Sequence, residues 1–155
     1  MKLKNILSHL IKGYESGQET GDLTFSCSNA SWYCMLAFLS GHELSRLEEK
    51  NRFYLQVSIN AKQELQVSFS GIIHQAILNL LSITKNPCKL NGKTFNEDER
   101  IQLLVDGQQQ SSLAIFYVIK LMLYYWFHQN AAFEQSNQLA KQYIDALAGT
   151  HWVSI

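Results

Sequence analysis

Five histidines, three cysteines and one acidic run are the residues from which this chain could build a reactive centre. The histidines are His9, His42, His74, His128 and His151, and no two of them stand four apart. Cys27 and Cys34 are seven apart and Cys88 is remote, so the paired spacing that usually announces a zinc site is missing. The glycines are scattered singly, without the phosphate-cradling loop of a nucleotide site. No metal and no cofactor are expected. Cys34, in the run SNASWYCMLAF, follows a polar turn and sits among aromatics. As a nucleophile it would need a base from elsewhere in the fold, with His42, His74 or His128 as candidates. No local signature of a thiol enzyme surrounds it. A thiol-dependent hydrolase or transferase is therefore the alternative reading, and a non-catalytic protein is the first. Glu97, Asp98 and Glu99 cluster, but three acids suit the positive end of a helix better than they suit acid–base chemistry.

The stretch Leu113–Phe127, LAIFYVIKLMLYYWF, has the highest apolar density in the chain and one charge, Lys120. It is shorter than the roughly 20 residues of a membrane span and too long for an ordinary strand. It reads as a central helix, capped by Ser111 or Ser112, around which the other elements pack. Its aromatic flank offers candidates for partner contact: Tyr124, Tyr125 and Trp126, joined by Lys120 and by Trp152 in the tail. No acid lies within a helical turn of Lys120, so its ammonium is expected to reach water along its stem.

The 155 residues suit a single domain, 1–155, large enough to bury a core unaided. Charged residues make up only 17%, and 13 bases balance 13 acids. Such a balance argues against nucleic-acid binding and leaves self-association into a homo-oligomer open. Three cysteines and no apolar leader in MKLKNILSHLIKGYESG suggest a cytoplasmic protein with free thiols.

The elements that must position these groups divide into two kinds. Residues 2–15 repeat apolar side chains at helical spacing, with Gly17 as terminator and 18–22 as a loop. Residues 23–28 alternate as a strand would. Trp32–Leu39 is apolar on both parities and fits a second strand, or a short buried helix. Glu43–Lys50 is a short helix or a charged loop. Phe53, Leu55, Val57 and Ile59, then Leu65, Val67 and Phe69, alternate with polar residues and suggest a hairpin. Helices are expected over 72–84, from a Thr94–Glu97 capping box to Asp106, over 113–127, and from Phe133 to Leu147. A tail, Thr150–Ile155, follows. The sum is an α+β fold: a small antiparallel sheet of three or four strands in the N-terminal half, packed against a helical C-terminal half. Its function is expected to be protein–protein contact, as an adaptor, inhibitor, immunity-type or secretion-accessory factor, with another protein as partner.

Overall fold

The structure, a computed structural model, describes residues 3–82 and 85–145. Among these residues it is all-helical. Seven helices run in order: α1 (Leu3–Thr20), α2 (Leu23–Leu39), α3 (Leu44–Asn60), α4 (Glu64–Leu81), α5 (Glu97–Asp106), α6 (Gln110–Trp126) and α7 (Asn130–Tyr143). The expected sheet is absent from the described residues, whose only β pairing is a single bridge between Asn91 and Asn96.

The correction has a physical cause. In α3 the inward positions are Leu47, Asn51, Tyr54, Leu55 and Ser58, spaced at three and four residues. Two of the five are polar, and Phe53 and Ile59 point out to water instead. Polar residues placed inward and apolar residues placed outward turn a helical period into apparent alternation. Ser58 is 0% exposed and Phe53 is 58% exposed, the reverse of what a strand parity assigns. The same exchange operates in α4, where Gln66, Ser68 and Ser70 are buried and Leu65 is exposed. The supposed strands 23–28 and 32–39 are one continuous helix, α2, started by Asp22, whose carboxylate accepts from the Phe25 amide at 3.0 Å.

Short connections make α1/α2, α3/α4 and α6/α7 antiparallel hairpins that stack on one another. The second helix of each of the first two hairpins touches the next, so α2, α4 and α6 form a row. The helix at the centre of that row is α4, not the apolar stretch at 113–127. α4 meets α2, α3 and α6 and buries twelve residues, Ile72, Ile73, Ala76 and Ile77 among them. α6 packs along α4, α5 and α7 among the described helices and touches α2 through Trp126 at its end, which leaves part of its surface in solvent. α1 continues through Gly17 to Thr20, and Gly17 lets α2 come close: a Cβ there would meet the Ser26 amide at 2.8 Å.

Between α4 and α5 the chain crosses the row as a well-fastened loop. Asn79 donates to the carbonyls of Pro87 and Lys89, at 3.1 and 2.7 Å. Gln75 Oε1 accepts from the Thr94 amide and hydroxyl, both at 3.2 Å. The Thr94 carbonyl lies where a Cβ on Gly71 would be, 2.9 Å away, so only glycine permits the crossing. Thr94 is thus spent on α4, and the expected capping box does not form. Asn96 caps α5 instead, accepting from the Asp98 amide at 3.1 Å. The acids Glu97, Asp98 and Glu99 do occupy the first turn. Gln109, not a serine, precedes α6. The tail Thr150–Ile155, and the end of the last expected helix at Leu147, lie outside the described residues.

Candidate functional site

Lys120 does not reach water. It is 5% exposed, and its Nζ lies 2.9 Å from Glu97 Oε2 and 3.2 Å from Oε1. It also donates to the Cys88 carbonyl oxygen. The rings of Tyr124 and Phe116 flank it, with centroids at 4.9 and 5.7 Å. Glu97 Oε2 in turn accepts from the Leu90 amide at 2.9 Å. One cation therefore joins α6, the loop and the start of α5. The acid partner is distant in sequence, which is why the neighbours of Lys120 gave no sign of it. Lys120, expected to reach water and offered as a contact residue, is thus enclosed, and Tyr124 is half-buried beside it.

The next three residues behave differently. Tyr125 is 70% exposed, and Trp126 and Phe127 are also exposed. The α6 helix ends here, with the Phe127 amide bonded back to the Leu123 carbonyl and His128 in the left-handed region at φ 55°. Trp126 rests edge-on against Phe38 of α2, with ring centroids 6.3 Å apart. Leu39, next to Phe38, is exposed as well. One end of the stack therefore presents Tyr125, Trp126, Phe127 and Leu39 to solvent. Of the sequence-based candidates, Tyr125 and Trp126 lie in this patch, Tyr124 is half-buried, Lys120 is buried, and Trp152 falls outside the described residues.

The thiols are internal. Cys34 is fully buried, and burial pushes its thiol up to about 12, against a smaller downward pull from Lys50. It is protonated at neutral pH, and no described hydrogen bond joins it to a histidine. His42 pairs with the Ser40 hydroxyl at 3.1 Å, and His74 with Glu48 at 2.9 Å. This geometry gives the Cys34 enzyme no support. Cys27 and Cys88 are buried, and all three cysteines are free. Among the described residues, no three His, Cys, Asp or Glu side chains come together as a metal cage, and no helix is long and apolar enough to cross a membrane.

Two other features were hidden from the sequence. A shallow groove of about 470 Å³ runs between the α3/α4 turn and α5, lined by Ile59, Lys62, Glu64, Val67, Ser68, Arg100 and Gln109. Among the described residues, one side-chain hydrogen bond joins two of its lining residues, from Arg100 to the Ser68 hydroxyl at 3.4 Å, and no nucleophile–base pair lies in it. The second is a polar seam in the interior of α3 and α4. Both amide atoms of Asn51, the Ser58 hydroxyl and His74 Nδ1 are buried without a partner among the described residues. Comparison of the chain with protein-family models, with curated proteins and with solved structures gave no match.

Proposed function

We propose that this is a single-domain, cytoplasmic, non-catalytic binding protein that covers a partner protein with the aromatic end of α6. The observation that carries this reading is the exposure of three consecutive large aromatics, Tyr125, Trp126 and Phe127, beside Leu39. Scattered apolar residues on a surface are ordinary, but a contiguous aromatic patch marks a contact site. Tyr and Trp are the residues that most often dominate binding energy when a partner covers them. The internal position of Cys34, and the engagement of His42 and His74 with other groups, supply the complementary support. The neutral charge balance favours a protein partner over nucleic acid.

The test is retention of host proteins on the immobilised chain, compared with a Tyr125→Ser/Trp126→Ser variant of unchanged helical content. A partner held by the native chain and lost from the variant is expected. Equal retention by both, or by neither, would refute the assignment of the contact to this patch.

A further inference from the structure

We propose that residues 86–106, the crossing loop and α5, form a strap over α4 and α6 that opens as one unit while the hairpin stack stays folded. The argument starts from what α5 touches. It has ten residues, buries only Leu104, and among the described helices packs on α6, with one further hydrogen bond from Arg100 to Ser68 of α4 at 3.4 Å. Every other helix is one half of a hairpin. Lifting α5 therefore breaks no contact between the remaining six.

The strap is held by four buried side chains, Cys88, Leu90, Phe95 and Leu104, and by polar fasteners, several of which one group serves. Lys120 binds the carbonyl of Cys88 at one end of the loop and the carboxylate of Glu97 at the other. That carboxylate also holds the Leu90 amide. A single ammonium thus latches both ends. Gln75, Asn79, the Gly71 contact and the Ser68 hydroxyl, which accepts from Arg100, supply the rest from α4. The strap's own Cys88, Leu90 and Phe95 are buried against the stack, Phe95 tilted on Phe116 with ring centroids 5.9 Å apart. At the far end, Gly107 and Gln108, the latter at φ 52°, form the turn into α6. A segment whose helix packs mainly on one neighbour, and whose release breaks no contact among the other six helices, is a unit that can open sub-globally. Opening it bares the faces of α4 and α6 beneath and returns Lys120 to water.

The chain carries its own reporters. Cys88 lies in the strap, whereas Cys27 and Cys34 lie in α2, within the stack, and all three are buried. Alkylation of the native protein without denaturant, read residue by residue by mass spectrometry and normalised to the rates in the unfolded chain, compares the two regions. Cys88 is expected to react at least about tenfold faster than Cys27 and Cys34. Lys120→Met is expected to accelerate Cys88 by about a hundredfold, the factor that corresponds to the stability it loses. Thr94→Ala, a milder loosening of the same strap, gives a smaller acceleration of Cys88 and decides the matter if Lys120→Met does not fold. Equal rates at the three thiols in the native protein, or no acceleration of Cys88 by Thr94→Ala, would overturn the proposal, because opening would then be global unfolding or would not involve the strap.

Discussion

Replacing Lys120 by Met keeps most of the apolar stem and removes the ammonium from a site where it is 5% exposed. Two unit charges 2.9 Å apart attract by about 6 kcal/mol at an effective dielectric near 20, most of which is offset by the loss of water from both ions. The variant's cost arises from what stays behind. The Glu97 carboxylate, with a side chain 16% exposed, loses its counter-ion, and the Cys88 carbonyl loses its donor. Stranding one partner of a buried pair costs about 3–5 kcal/mol. The partial exposure of Glu97 places the expected loss near the lower bound, about 3 kcal/mol. For a domain whose total stability is of the order of 5–15 kcal/mol, that loss is large. Urea denaturation followed by circular dichroism measures it, with the slope of the transition read separately. A strap released in the variant exposes surface before unfolding, so the slope is also expected to fall. Adding Glu97→Gln to Lys120→Met removes the stranded charge and keeps an acceptor for the Leu90 amide. The double variant is expected to recover about 1–2 kcal/mol relative to the single. A single-variant loss below about 1 kcal/mol, or a double variant no more stable than the single, would refute the buried latch.

Ser58→Ala removes a buried hydroxyl without a partner and is expected to leave stability unchanged or raise it by up to about 1 kcal/mol in the same denaturation assay, whereas Ser58→Asp should unfold the domain. Phe53→Ser, on the exposed side of α3, is expected to change stability by no more than about 0.5 kcal/mol. The Cys34 thiol is raised from 9.0 to about 12 in the fold, so the unfolded chain ionises first as pH rises. Its contribution is complete below pH 9 and is lost between 9 and 12, at about 1.4 kcal/mol per pH unit, a decline that Cys34→Ala should remove from the pH profile of urea unfolding. Asp98 has its carboxyl held below its ordinary value by hydrogen bonds from Lys89 and Asn91. That stabilisation is present above about pH 3.8 and is lost as pH falls toward the depressed value, so Asp98→Asn should flatten the acid limb of a thermal-melt series.

The helical half of the fold was legible where a single face carries the apolar residues. Ile73, Ala76, Ile77 and Leu80 define the later turns of α4, the acids at 97–99 mark the start of α5, and Gly107 marks its end. The N-terminal half was misread because serine, asparagine and glutamine occupy its interior. Ser31 and Ser70 face each other at 2.8 Å between α2 and α4, small enough to let the helices approach and polar enough to erase the apolar period. The contact patch was half legible. Tyr125 and Trp126 stand out as aromatics, but whether a residue on an all-apolar helix faces a neighbour or water depends on which helices flank it. Lys120 was misplaced for a related reason: its acid lies 23 residues back, on an element whose position only the tertiary fold supplies.

The central functional claim is tested most directly by placing a photoreactive phenylalanine analogue at Tyr125 in the host cell and irradiating. A discrete cross-linked species carrying one partner protein is predicted from that position, with none from the same analogue at Gln56 on the exposed side of α3. Partner cross-links from Gln56 and none from Tyr125 would contradict the account.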